Sequence, residues 1–559
     1  MFRRLETSIG NGVLCYFRRS HVWTKGNVVV SPFRDVSIPE VTLPEYVWNK
    51  LIKWSDKIAV QCGVTERKYT YAQLYKHSQI LGAHLRKNFG LKDGDTVAIM
   101  MPNLPEYPTT IFGILSAGGV VTTLNPIYTP YEVQRQIQLS EAKLIITVPE
   151  IVPVVKEALE MNKKSIPIIV NDVFSKRPEG TVSYKEIIDN TNIDTSILKE
   201  VKRKFDDVAF LPYSSGTTGL PKGVELTHYN IVTNCEQQNN ECQLHNDTTE
   251  SNQDSTLAIL PMFHSYGLGV VTLHKLSVGT KLVTLPKFKP DTFVEALAKH
   301  KMEMFFLAPP LLLFLATYPQ VKAKHLERVR SVIIGAAPVP KVDVETFLRK
   351  IDRDCHVAQG YGLTETSPLA TISPIGFKNY TSVGFPLSNT QLRVVDENLK
   401  NMGPNEVGEL LIKGPHVMKG YKDNPEANSQ VFVEDKWFRS GDLARIAEDG
   451  SVSISDRLKE LIKVNAYQVP PAELEGVLKE HPDIFDAAVV PVPDPATGEK
   501  PKAFVVLYEN KYVTETNILE FVSKRVAPYK RIKEVVFLKE IPKNPSGKIL
   551  RRVLIEKYC

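Results

Sequence analysis

The sequence predicts an α/β fold: a large N-terminal domain of parallel-sheet α/β subdomains that carries a small β-rich subdomain, then a small α+β C-terminal domain. Three observations predict it. From residue 69 onward, helical and strand patterns alternate, which argues for βαβ units. Residues 380–454 switch to short alternating runs between tight turns. After residue 456 longer helical and strand patterns return.

In chain order, residues 71–87 read as an amphipathic helix, 96–101 as an apolar strand and 107–117 as a second helix. Residues 120–125 and 144–148 are further strands. Residues 206–213 form a strand that runs into a polar, glycine-rich loop. Runs 257–260, 281–285 and 331–335 read as buried strands, and the polar stretch 239–254 as a solvated loop. In the β-rich part, 391–395 and 409–413 lie between turns such as Gly403-Pro404 and Asp449-Gly450. The last part reads as a helix over 471–479, strands near 487–491 and 503–508, and a helix over 515–525. The expected boundaries are a basic segment 1–34, a large domain 35–456 and a C-terminal domain 457–559.

Composition narrows the function classes. The chain has 559 residues, enough for roughly three to four domain-sized units. Its 43% hydrophobic and 24% charged content excludes a disordered or fibrous chain. The formal net charge is +6. Arg3, Arg4, Arg18, Arg19 and Lys25 face one acid, Glu6, so most of that charge sits in the first 25 residues. A nucleic-acid binder would spread it over a face, so no nucleic-acid partner is expected. The six cysteines are widely spaced, with no CxxC pair, and read as reduced thiols of an intracellular protein. No apolar run reaches about 18 residues, and the nearest, 304–317, is broken by Pro309-Pro310, so no transmembrane helix is expected. Residues 1–34, with one acid among arginines, serines and bulky apolar residues, fit either a mitochondrial transit peptide or a basic lead-in. The C-terminus, Lys557-Tyr558-Cys559, is not a Ser-Lys-Leu address, leaving a cytoplasmic or mitochondrial location expected.

The run with most chemistry is Tyr213-Ser214-Ser215-Gly216-Thr217-Thr218-Gly219-Leu220-Pro221-Lys222-Gly223. Its glycines permit close backbone approach, its hydroxyls and amides suit phosphate oxygens, and Lys222 adds a mobile cation. It is not a Walker loop, because no Gly-Lys-Ser/Thr stands at the required spacing. Further on come Gln359-Gly360-Tyr361-Gly362-Leu363-Thr364-Glu365, Ser440-Gly441-Asp442, the run Asp456-Arg457-Leu458-Lys459-Glu460-Leu461-Ile462-Lys463, and Pro545-Ser546-Gly547-Lys548. Tyr361 offers an aromatic face to an adenine, and Gly360 and Gly362 let the backbone approach it. Thr364 suits a phosphate oxygen and Glu365 a Mg²⁺ ion. Asp442 suits a pair of ribose hydroxyls.

Together and in this order, over roughly residues 45–555, these runs resemble the adenylate-forming superfamily of acyl-CoA synthetases, 4-coumarate-CoA ligases and beetle luciferases. The gross likeness is to the 4-coumarate-CoA ligases. The resemblance implies a two-step acid-thiol ligase. An acid's carboxylate attacks the α-phosphate of ATP, with Mg²⁺ as cofactor, to give an acyl-adenylate and pyrophosphate. The thiolate of coenzyme A then displaces AMP. It implies that Ser214, Ser215, Gly216, Thr217, Thr218, Gly219 and Lys222 hold phosphates, and that Gln359 belongs with Gly360, Tyr361 and Gly362 to the adenine motif. It makes Arg457 part of an interdomain hinge with Lys459 as its pivot, which makes the C-terminal domain mobile. It gives Lys548 the bridge between carboxylate and α-phosphate. His264, which read alone is a histidine after a strand, would lie by the acyl carboxylate. Tyr266, Gly335 and Ala336 would line the acid pocket, and Lys463 and Gln468 would border the coenzyme A path.

One departure stands out. The family commonly has Lys-Gly before the aromatic residue of that path, and this chain has Asn465-Ala466 before Tyr467. The same adenylation motifs would serve a luciferase-like oxygenase, and a non-catalytic nucleotide-binding homologue is the third reading. The acid itself stays open between an aromatic propenoic acid and a fatty acid.

Overall fold

The computed structural model describes residues 21–173, 176–214, 221–239, 246, 248–336, 339, 341–457, 462–465, 467–469, 471–542, 549 and 551–559. Among the described residues four sheets form the frame, two of nine strands, one of six and one of five. The expected α/β architecture is present, with mainly parallel pairing in the two large sheets.

The first large sheet is centred on Thr96–Met100, flanked in parallel by Val120–Thr123 and Leu144–Thr147. The helix Tyr71–Phe89 starts at a capping box, where Thr70 and Gln73 satisfy each other's backbone N–H groups, and ends on left-handed Gly90. It buries Leu74, Leu81 and Leu85 in the main core with Ile111 and Phe112 of the next helix.

The second large sheet places Ser255–Ala258, Lys281–Thr284, Met304–Leu307, Ser331–Ile334 and His356–Gly362 side by side in parallel. Ile58–Cys62, from far earlier in the chain, pairs in parallel with Lys281–Thr284. The apolar run at 304–317 is two elements, the strand Met304–Leu307 and the helix Pro309–Thr317, because the prolines can start a helix but cannot continue a ladder.

The small β-rich sheet is antiparallel and contains Gln391–Val395, Val407–Lys413, Trp437–Ile446 and Val452–Arg457. It also takes in residues before position 35. Val29–Val30 pairs with Gln391–Val395, Trp23 bridges Val29, and Val22 and Val29 are buried in this sheet's core. Residues 22–33 therefore belong to the fold, and a two-residue strand leaves no period to read. Residues 1–20 lie outside the described residues.

In the stretch 239–254 the described residues 246 and 249–251 are exposed, whereas Thr248 and Asp254 are buried. Asp254 is 1% exposed and held by Arg330 at 2.7 Å. Four cysteines among the described residues, Cys62, Cys235, Cys355 and Cys559, are free thiols. Among the described residues no helix is long and apolar enough to cross a membrane.

The C-terminal part has its own sheet and core. The helix Pro471–Lys479 and the hairpin of Ile484–Asp494 with Gly498–Leu507 enclose Leu474, Val489 and Val505. Its short hairpin, Ile462–Val464 with Tyr467–Val469, projects toward the large domain's cleft.

Candidate active site

Ligands of open α/β sheets bind beyond the C-terminal ends of the parallel strands. Here that position holds a cleft of about 1400 Å³, above the usual range for one small ligand. It is lined from both large sheets, the small β-sheet and the C-terminal domain.

The phosphate-type loop is anchored by a two-residue antiparallel ladder, in which Ser214 faces Lys222 and Tyr213 faces Gly223. Ser215, Gly216, Thr217, Thr218 and Gly219 lie outside the described residues. The Lys222 ammonium sits 5.1 Å from the ring centre of Tyr421. Burial lowers its pKa, against the opposing pull of the Glu365 carboxylate. The Tyr421 hydroxyl donates to Glu365 Oε1 at 2.9 Å. One tyrosine thus links the loop's cation to the carboxylate expected to meet Mg²⁺. Nothing in the sequence around Tyr421 marks it. The link arises because Gly420–Tyr421 pairs with the strand Lys222–Thr227.

The aromatic motif and the aspartate meet directly. The Tyr361 hydroxyl donates to Asp442 Oδ2 at 2.7 Å. Asp442 is 2% exposed, and its backbone N–H donates to Ser440 Oγ, whose own hydroxyl donates to the Leu410 carbonyl. Asp442 also faces Arg457 across the sheet, although the Arg457 side chain lies outside the described residues. Gly360 and Gly362 line the cleft, and a Cβ on Gly362 would stand 1.9 Å from the Pro368 carbonyl oxygen. Thr364 donates to Ser265 Oγ at 3.3 Å. Gln359 departs from its expected place. Its amide is turned onto the Tyr380 and Ser382 carbonyls, so it braces the strand behind the wall.

His264 lines the cleft. Its Nδ1 accepts from the Tyr266 backbone N–H at 3.3 Å, which leaves the ring proton on Nε2. The surrounding walls lower its pKa by desolvation, although the side chain itself is exposed to the cleft. A stretch of π-helix, Tyr266–Leu273, follows, a form common at functional sites. The Tyr266 hydroxyl donates to the Ile333 carbonyl at 3.0 Å, and its ring lies against Gly335, where a Cβ would come within 3.0 Å. Ala336 completes this wall with φ 71°, in the left-handed region.

Two residues that sequence reasoning missed hold the His264 loop. The Asn103 amide donates to the Ala258 and Leu260 carbonyls, and its oxygen accepts from the Met262 N–H. Thr123 donates to the Phe263 carbonyl at 2.7 Å. Both follow or end strands of the first sheet, so the first large sheet positions the second one's loop.

The C-terminal hairpin supplies Lys463, Asn465 and Tyr467 to the cleft wall. Asn465 has φ 49°, a conformation asparagine tolerates better than lysine. Tyr467 stacks on Tyr529 with centroids 4.1 Å apart, and Asn125 of the large domain reaches the Tyr529 hydroxyl. Ala466, Lys459, Lys548 and the Gln468 side chain lie outside the described residues.

Residues 48–422 match the model of the AMP-binding enzyme family, and residues 473–548 match the AMP-binding enzyme C-terminal domain. A 4-coumarate--CoA ligase 2 from Solanum tuberosum is 38% identical over 537 residues, covering 94% of this chain and 95% of its own. A 4-coumarate--CoA ligase 3 from Arabidopsis thaliana is 38% identical over 538 residues, covering 95% and 94%. Among solved structures, ATP-bound MatB from Rhodopseudomonas palustris is 27% identical, with a TM-score of 0.67 over 93% of this chain and 99% of that one. The o-succinylbenzoate CoA synthetase MenE from Bacillus subtilis, at 24% identity, shares the fold with a TM-score of 0.75, covering 92% and 98%.

Proposed function

The chain belongs to the AMP-binding enzyme family, and from that premise we propose that it joins a carboxylic acid to coenzyme A at the expense of ATP, through an acyl-adenylate. The observation that carries the reading is the sharing of one cleft by three groups. They are the Tyr361–Asp442 pair, the Lys222–Tyr421–Glu365 link with His264 beside it, and the C-terminal hairpin with Lys463 and Asn465.

In the first step the acid's carboxylate oxygen bonds to the α-phosphorus, and the bond to pyrophosphate breaks. Asp442, preset by Tyr361 and Ser440, holds the ribose. Lys222, partly desolvated, acts on the phosphate charge more strongly than a hydrated lysine would. The neutral His264 offers its Nε2 proton to the acid's carboxylate without a charge of its own. In the second step the thiolate of coenzyme A bonds to the acyl carbon, and the bond to AMP breaks. Lys463 borders that thiol's path.

Glu365 fits a Mg²⁺ ion. Among the described residues no cluster of three or more ligating side chains stands ready to hold a metal alone, and Glu365 supplies one braced carboxylate. That suits an ion which takes one or two carboxylates and completes its shell with phosphate and water oxygens. When bound, the ion neutralises charge on the departing phosphates.

The test separates the half-reactions in a Lys548→Ala variant. Adenylate formation should fall on the order of 10²–10³-fold, as for loss of one preorganised group at developing charge. Thioester formation from a supplied acyl-adenylate should persist. Equal loss of both in a folded variant would remove Lys548 from the adenylation step.

A further inference from the structure

The segment that carries His264 leaves its sheet early. The last ladder pair of the strand Ser255–Ala258 is Ala258 with Thr284. Pro261 follows soon after and has no N–H with which to extend a ladder. The chain past Ala258 is buried all the same, with Leu260 7% and Met262 0% exposed. Buried backbone groups need partners.

One side chain from the first sheet supplies them. Asn103 stands in the loop between the strand Thr96–Met100 and the helix Glu106–Ser116. Its Nδ2 donates to the Ala258 carbonyl at 2.9 Å and to the Leu260 carbonyl at 2.8 Å, and its Oδ1 accepts from the Met262 N–H at 2.9 Å. These groups lie on alternate residues, so the amide stands where a neighbouring strand would. Both of its hydrogens are used, which leaves no donor for a ligand. The Thr123 hydroxyl makes the next link, to the Phe263 carbonyl at 2.7 Å. The His264 N–H then donates to the Pro261 carbonyl at 3.1 Å, and the His264 carbonyl accepts from the Leu268 N–H at 2.8 Å. The imidazole is thus carried on a closed turn, and Asn103 and Thr123 set the course of the chain entering it.

The Asn103 loop is itself anchored. Glu106, 2% exposed, accepts from both arms of Arg67 at 2.6 and 2.7 Å, from the Tyr69 hydroxyl at 2.7 Å and from the Asn171 amide at 3.2 Å. Arg67 and Tyr69 lie at the edge strand Lys68–Thr70 of the second sheet, and Asn171 follows the strand Ile168–Val170 of the first. One carboxylate therefore ties this loop to both sheets, through a bidentate charged pair of the strong kind.

From this geometry we propose that Asn103 and Thr123 are positioning residues for adenylation, acting through His264. The inference rests on the ligase reading of this same site. Neither residue needs to touch the acid. Each fixes where the His264 ring stands, and a displacement of about 1 Å at such a group can cost about 100-fold in rate.

The test is a pair of double-mutant cycles on acid-dependent pyrophosphate release. The acid is whichever of butanoate, decanoate and cinnamate the unaltered protein uses fastest, and a melting curve accompanies each variant. Asn103→Ala should lower kcat about 10–100-fold, and Thr123→Val about threefold to tenfold. The KM for ATP should stay within about threefold, because Lys222 and Asp442 lie on other segments. In a His264→Ala background each substitution should cost less than about twofold, because the group it places is gone. Losses that multiply in either cycle, or a KM for ATP that rises along with the fall in kcat, would make the two residues general braces and overturn the inference. Undiminished kcat in both single variants overturns it as well. Should Asn103→Ala fail to fold, the Thr123→Val cycle decides alone. A His264→Ala variant with full pyrophosphate release removes His264 from the step and the inference with it, and leaves the ligase reading intact. Absence of acid-dependent pyrophosphate release by the unaltered protein overturns both.

Discussion

The ammonium of Lys530, in the C-terminal domain, donates to Glu132 of the large domain at 3.0 Å and to Glu473 of its own domain at 2.9 Å. All three are buried, Lys530 at 4% exposure. Glu132 uses its other oxygen to cap its own helix through Thr129, and Glu473 Oε2 is buried with no partner among the described residues. The two carboxylates raise the Lys530 pKa well above its ordinary value despite the burial that opposes this. The raised value means the lysine stays charged through neutral pH and loses its contribution only above the ordinary lysine range.

This bridge should hold the pose in which the hairpin with Lys463 faces the cleft. Lys530→Met strands two buried carboxylates, and removing one partner of a buried ion pair costs about 3–5 kcal/mol. The expected outcome is at least a tenfold loss of thioester formation from supplied acyl-adenylate, with adenylation changed less than threefold. The double variant with Glu132→Gln should recover part of the loss. Equal loss in both half-reactions, or no recovery, would show that the bridge does not select the pose.

Tyr421→Phe isolates the hydroxyl held by Glu365, because the phenyl ring stays beneath Lys222. Loss of a group that orients a metal ligand commonly costs about 10–100-fold in metal affinity. The Mg²⁺ concentration for half-maximal pyrophosphate release should rise about tenfold, and further in Glu365→Gln. An unchanged magnesium curve in both variants would take Glu365 out of the metal site.

Buried histidines set the acid limit of the fold. Desolvation holds His228 and His416 down at about 3 and His356 at about 4. In the unfolded chain each titrates near about 6.5. A depressed folded value gives stability that is complete above about 6.5 and lost as pH falls toward those values. At pH 5 each group costs about 2 kcal/mol. Melting temperature should therefore drop steadily from pH 7.5 to 5, and His416→Gln should flatten that slope by about a third. An unaltered slope in that variant would show that His416 does not carry it.

The N-terminal segment gives a truncation test. Removing residues 1–20 leaves Val22, Trp23 and Val29 in place, with the Trp23 indole donating to the Ala447 carbonyl at 3.0 Å. Removing residues 1–30 takes two buried valines from the small sheet, about 1.5–3 kcal/mol each. The shorter deletion should leave the melting temperature within a degree or two, and the longer should lower it clearly. Equal melting temperatures would mean that the Val29–Val30 strand adds nothing to the fold.

The sequence by itself determined what is local. The helix Pro471–Lys479 and the strand Gln391–Val395 were legible to the residue from periodicity and flanking turns. The ordered motifs carried the family resemblance, and it was that resemblance which implied the reaction class. Only the tertiary structure decided the braces. Lys530 and Glu132 are 398 residues apart, Asn103 and the Leu260 carbonyl 157, and Tyr421 and Glu365 56. It also decided that Gln359 turns away from the cleft and that Ile58–Cys62 joins the second sheet. Each of these depends on which strand ends pack together, and a contact between distant segments leaves no period or spacing in either segment alone.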